Sequence, residues 1–94
     1  MNDRLNKTIL RRLRNEIEMQ PLIAGTLAIE NRMIEGRFRF LCPLCSEFNT
    51  AVNPKTNLAR CFHCERNFNP IDLVITVKKY AFLDAVDFLS RFVE

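Results

Sequence analysis

Cys42, Cys45, Cys61 and Cys64 are the residues of this chain best equipped for chemistry. They form two Cys-x2-Cys pairs with fifteen residues between them. A gap of two lets both thiolates of a pair reach one ion from a tight turn. Two such turns brought together supply four sulfurs at ~2.3 Å in tetrahedral geometry. Four soft ligands with no open position suit one structural zinc ion, Zn2+. Tetrahedral sulfur also suits iron, which stands as the alternative metal. Thiol–disulfide redox chemistry needs one such pair and leaves the second without a role. His63, the one histidine, sits between Cys61 and Cys64 and becomes a ligand only if a cysteine is displaced.

The rest of the composition restricts what such a site could serve. Ninety-four residues are enough for one domain, and a chain of this size buries a small core that a metal often reinforces. With 48% apolar and 27% charged residues it reads as globular rather than disordered. No apolar run approaches the ~18 residues of a membrane span. The charged N-terminus, MNDRLNKTILRRLRNE, is not a secretory signal. The expected compartment is a reducing cytoplasm, where close cysteine pairs hold metal rather than form disulfides. Net charge is +3. Four thiolates on one Zn2+ add about −2, which leaves too little for a strongly charge-driven polyanion binder, so nucleic-acid binding would need a local patch.

The elements that position the cysteines follow from periodicity. Residues 3–19 read as an amphipathic helix, the core of an N-terminal helical segment 1–20. Leu5, Ile9, Leu13 and Ile17 lie on one face with Leu10 beside them, Asn2 or Asp3 is the cap, and Pro21 ends it. Arg4, Lys7, Arg11 and Arg14 form a basic stripe opposite. Its plain reading is a solvated face and its sharper one a phosphate-facing surface. Residues 22–35 suit a short helix followed by a strand, with a turn at Gly36. Arg37 to Leu41 alternates with period two, a strand that buries Phe38 and Phe40 and exposes Arg37 and Arg39. Thr50–Val52 and Asn57–Arg60 flank the turn residues Asn53 to Thr56, outlining a hairpin. Asn69-Pro70 starts a helix that runs to about Lys79. A second helix covers Phe82 to Phe92, with Phe82, Ala85, Val86, Leu89 and Phe92 on one face. The expected fold is α+β: a zinc ribbon over 37–68, a small antiparallel β-sheet with two Cys-x2-Cys knuckles, flanked by the N-terminal helix and by two C-terminal helices over 69–94. All of it reads as one domain, 1–94.

The motifs resemble a known group. Leu41-Cys42-Pro43-Leu44-Cys45, then Val52 and Pro54, then Cys61-Phe62-His63-Cys64, then Asn69-Pro70-Ile71-Asp72-Leu73-Val74 look like the N-terminal zinc-binding domain of bacterial and phage DNA primases, a Cys-His-Cys-Cys-type zinc finger. Asp84-Ala85-Val86 and Gly36-Arg37 resemble two further family features, and the similarity spans roughly residues 20 to 92. Bacterial members usually carry His where this chain has Cys45, and the four-cysteine form is similar to the phage primase-helicases. The family's Gly-Gly after the second knuckle is Asn67-Phe68 here.

The resemblance implies a zinc-dependent module that recognises single-stranded template DNA in replication and primer synthesis. Its partners would be that DNA and a primase catalytic domain or another replication protein, with no membrane and no small-molecule substrate. Single-stranded DNA calls for a basic track and aromatic platforms. Arg37, Arg39, Lys55, Arg60, His63 and Arg66 are the candidate polar contacts, and Phe62 and Phe48 the candidate platforms. Packing in the core or around the zinc is the competing role for both rings, and the favoured one for Phe62. The alternative function is a zinc-ribbon module for protein–protein interaction or regulation, supported by the low folded charge and by Val77, Phe82, Phe88 and Phe92, which need cover. An enzyme in its own right is not expected. There is no Gly-rich phosphate loop and no His–carboxylate pair, Asp84 and Asp87 read as a solvated helix face, and the family's polymerising domain is a separate, larger segment not contained in these residues.

Overall fold

A computed structural model describes residues 6–93. Helix α1 spans Lys7–Asn15, capped by Asn6, whose side chain accepts the Thr8 N–H at 2.7 Å. This shifts the expected start inward; Asn2, Asp3, Arg4 and Leu5 lie outside the described residues. The helix also stops before residue 19. A short helix α2, Met19–Pro21, passes directly into a π-helical turn, Leu22–Thr26. The break has a packing reason. Ile17 and Met19 would point in nearly opposite directions on one continuous helix, and both are buried because the chain turns between them at the extended residue Glu18. Pro21 therefore does not terminate α1. It sits in the first turn of α2, where its missing N–H costs nothing.

Five strands follow: β1 Asn31–Ile34, β2 Arg37–Phe40, β3 Thr50–Asn53, β4 Leu58–Cys61 and β5 Asn67–Phe68. They form one antiparallel meander in chain order. Gly36, at φ 76°, makes the turn between β1 and β2 that the sequence suggests. The sheet thus starts earlier than the expected ribbon boundary, and β5 was not expected at all. Two residues carry too little pattern to be recognised; the ladder to β4, Ala59 opposite Phe68 and Arg60 opposite Asn67, creates the strand.

Helix α3, Pro70–Lys78, opens with a reciprocal capping box. The Asn69 side chain accepts the Asp72 N–H at 2.8 Å, and the Asp72 carboxylate accepts the Asn69 N–H at 3.0 Å. Helix α4 spans Phe82–Ser90, shorter than expected. Ala85, Val86 and Leu89 are fully buried, but Phe82 and Phe92 stay 44% and 50% exposed, because one opens the helix and the other lies past its end. Leu13 of α1, Leu73 and Val74 of α3 and the buried trio of α4 form the helical half of the core. Phe40, Ala59 and Phe68 extend it onto one face of the sheet.

Candidate metal centre and the basic sheet face

Each knuckle is built by backbone hydrogen bonds. In the first, the Cys42 N–H donates to the Glu47 carbonyl at 3.0 Å, and the Ser46 N–H to the Cys42 carbonyl at 3.0 Å. In the second, the Cys61 N–H donates to the Arg66 carbonyl at 2.9 Å. The Phe62 N–H donates to the Asn49 carbonyl at 3.0 Å and ties the second knuckle to the chain entering β3. Two further N–H groups point at sulfur: Leu44 to Cys42 Sγ at 3.4 Å and Cys64 to Cys61 Sγ at 3.5 Å.

The result is a tight cluster of four thiols. Cys42 Sγ lies 3.8 Å from Cys64 Sγ, Cys45 Sγ lies 3.5 Å from Cys61 Sγ, and all four sulfurs fall within 4.8 Å of one another. A tetrahedron with ~2.3 Å arms has edges of ~3.8 Å, so the spacing fits one metal ion of zinc's size. None of the four is in a disulfide.

Their protonation points the same way. For Cys61 the largest influence, burial, opposes ionisation. The N–H donors of Cys64 and His63 and the neighbouring sulfurs outweigh it and bring the thiol down to about 6. For Cys45 the largest influence, the Glu47 N–H, favours the thiolate, but burial and the other three sulfurs push it up to about 12. Cys64 is raised, first by burial and then by the sulfurs of Cys61 and Cys42. Four adjacent thiols cannot all ionise alone; a divalent cation supplies the missing charge. His63 is exposed and stands outside the cluster.

A family model described as the CHC2 zinc finger, the DnaG-type zinc ribbon, matches residues 5–94. This chain belongs to that family. Among curated proteins none matches it. Members of the CHC2 family are zinc-binding modules of DnaG-type primases rather than catalytic domains. In this member four cysteines are positioned to bind one structural zinc, Cys45 standing where bacterial members usually have His. Among the described residues no helix is long and apolar enough to cross a membrane.

Each knuckle of this CHC2 finger ends on a left-handed residue, Ser46 at φ 61° and Glu65 at φ 58°. That conformation costs a non-glycine residue about 1–2 kcal/mol, and glycine's extra chain entropy returns about 0.5–1 kcal/mol of it. Glu65 gives up little else, since its ion pair with Arg60 at 3.8 Å is solvent-exposed and worth little. Ser46→Gly and Glu65→Gly should each raise the melting temperature of the zinc-loaded protein by about 4 °C; a fall in both would contradict this account of the knuckles.

The strand that carries Cys61 toward the metal sends its neighbours to the other side of the sheet. Residues paired across strands share a face. Asn31, Phe40, Thr50 and Cys61 form a row on the core side. On the outward side, Arg32, Arg39, Ala51, Arg60 and Asn67 form one continuous row across all five strands. Arg37 lies on the same side, two residues before Arg39. A groove of about 750 Å³ opens beside this face, lined by Arg37, Leu58, Arg60, Phe62 and Asn67 from it and by Phe38 and Val52 from the opposite side of the sheet.

So the fold brings together Arg37, Arg39, Arg60 and Phe62 from the sequence-derived candidates. Lys55 lies at the β3–β4 turn and lines a separate depression with Asn15 and Glu18. Arg66 and His63 are exposed on the second knuckle and do not line the groove. Two expectations are corrected. Phe62 is 60% exposed, so packing in the core or around the zinc is not its role. Arg39 is only half-exposed, and its Nε is buried without a hydrogen-bond partner. Phe48 is half-buried, with the Arg32 guanidinium 4.5 Å from its ring centre, a cation–π contact. Arg32 itself was missed. The run Asn31-Arg32-Met33-Ile34 has no polar–apolar alternation to reveal it, and its face is set only by the pairing of β1 with β2.

Proposed function

We propose that the outward sheet face binds single-stranded template DNA, and that the chain serves primer synthesis by delivering template to a primase polymerising domain. The observation that carries this is the Arg32–Arg39–Arg60 row with Arg37 beside it and an exposed Phe62 at its edge. Arg32 and Arg39 sit directly opposite each other, and like charges so placed are destabilising unless an anion lies between them. The exposed ion pair of Arg32 with Glu30 at 3.4 Å relieves little of this. A phosphate backbone along the row and a base stacked on Phe62 match the two needs of single-strand binding. The metal organises this face indirectly, since Cys61 lies between Arg60 and Phe62. We further read residues 1–94 as one unit working in a reducing cytoplasm; one core shared by helices and sheet, and four uncrosslinked thiols, support that reading.

Fluorescence anisotropy with labelled single-stranded DNA tests the proposal. Arg37→Ala/Arg39→Ala should weaken binding at least tenfold and flatten the plot of log K against log salt by about 1.4, at ~0.7 for each phosphate no longer neutralised. Wild-type protein that shows no saturable binding, or a double variant that binds as well as wild type, would defeat it.

A second reading, docking onto another replication protein, is favoured by one patch. Tyr80, Phe88 and Phe92 form an aromatic cluster at the end of α4, with ring centres 5.9 and 6.0 Å apart and Phe92 half-exposed. Binding through that patch would respond weakly to salt, whereas DNA binding would respond steeply.

A further inference from the structure

Helix α1 carries four cations, and among the described residues only Arg12 has an ion pair or a side-chain hydrogen bond. Arg12 forms an ion pair with Glu16 at 3.2 Å and donates through Nη2 to the Val93 carbonyl at 2.6 Å, joining α1 to the chain after α4. Lys7, Arg11 and Arg14 are exposed and have no ion pair among the described residues. They recur at spacings of four and three, so they occupy one face over about 10 Å of helix. Lys7 is the first residue of the helix, where a cation works against the helix dipole, and the first turn contains no acid to offset it. Lys7 therefore costs the helix stability, while Arg14, in the last turn, sits where a cation is favoured.

The stripe is also fixed in place relative to the DNA-facing sheet. The Asn57 side-chain amide donates to the Arg14 and Ile17 carbonyls, both at 2.7 Å. Asn57 belongs to the β3–β4 turn, which carries exposed Lys55 and whose Pro54 and Thr56 line the sheet groove. The C-terminal end of α1, from which the basic residues project, thus meets the turn that borders that groove.

We infer that Lys7, Arg11 and Arg14, continued by Lys55, form a second phosphate track that holds the nucleic-acid backbone after it leaves the sheet face. This inference rests on the DNA-binding reading and extends its site. The sheet reads a short stretch of strand; the helix adds length and charge without base contacts, so it raises affinity for long strands and leaves short ones untouched.

The test compares wild type with Lys7→Gln/Arg11→Gln/Arg14→Gln on two labelled single strands, one of about 6 nucleotides that fills only the sheet and one of about 20 that can reach the helix. Glutamine keeps helix propensity, and zinc content with the melting curve verifies folding. On the long strand the salt slope should flatten by about 2, so that a fourfold rise in salt costs wild type roughly 16-fold more affinity than the variant. The short strand should bind both proteins equally. Equal long-strand binding, or an equal loss on both strands, would overturn the inference. So would an acidic polypeptide that displaces the long strand as well as DNA of the same charge does, since that would assign the helix to a protein partner. Loss of long-strand binding in the helix variant, with full binding in Arg37→Ala/Arg39→Ala, would sink the sheet reading and leave the helix surface standing.

Discussion

A strong chelator should melt the ribbon at room temperature. Apparent zinc binding free energies of ~10–16 kcal/mol match or exceed the ~5–15 kcal/mol total stability of a typical domain. The four sulfurs converge at one end of the sheet, where β2 and β4 both finish, with Cys42 and Cys61 fully buried beside Phe40 and Ala59. Without the ion, the knuckles keep a few backbone hydrogen bonds and four thiols that exclude one another's charge. Amide resonances from Arg37 to Phe68 should collapse toward random-coil positions on chelation. The helical core of Leu13, Leu73, Val74, Ala85, Val86 and Leu89 contains no ligand, so much of the helical circular dichroism should survive. Acid should act in the same direction. Cys45 and Cys64 are raised in the metal-free cluster and hold their protons at neutral pH. Each must release one on binding, so two or more protons leave per metal and zinc affinity rises with pH. Below neutrality it should fall at least about a hundredfold per pH unit. A melting curve unchanged by chelator would overturn the whole account of the ribbon.

Asn57→Ala should cost about 3 kcal/mol, a core-sized loss from a partly exposed polar residue. It removes the two hydrogen bonds to the Arg14 and Ile17 carbonyls. Each is worth ~1 kcal/mol, and two acceptors near the end of α1 are left without a donor. Alanine must also hold φ 54°, which adds ~1 kcal/mol. The series Asn57→Gly, Asn57→Ala and Asn57→Asp separates these contributions. Glycine relieves the backbone but does not restore the hydrogen bonds, at about 2 kcal/mol. Aspartate keeps the shape but can only accept, and it sets a charge against two carbonyls, so it should be at least as costly as alanine. Urea unfolding of the zinc-loaded variants gives the order directly. Aspartate tolerated as well as the native residue would show that the amide does not hold α1.

Much of this molecule is written locally. Two cysteines separated by two residues form a knuckle when a metal is present, and two such pairs declare the metal and its four ligands. Asn69-Pro70 followed by Asp72 contains every atom of the capping box within four residues, and the hairpin from Thr50 to Cys61 follows from alternation around a turn. These features are legible because the interactions that create them join near neighbours. The features that were not legible depend on residues far apart in the chain. Helix α1 stops at Asn15 because burying both Ile17 and Met19 requires a turn, and Asn57, forty or more positions away, satisfies the carbonyls left there. Strand β5 exists because β4 offers it a ladder. The arginine row joins β1, β2 and β4, which no window of sequence contains, and the side of the sheet on which Phe62 falls was decided by the pull of Cys61 toward the metal. Cysteine spacing alone told that this chain is organised around an ion. Which side chains line the face beside that ion was decided by sheet register, because register, not composition, determines which side chains stand together.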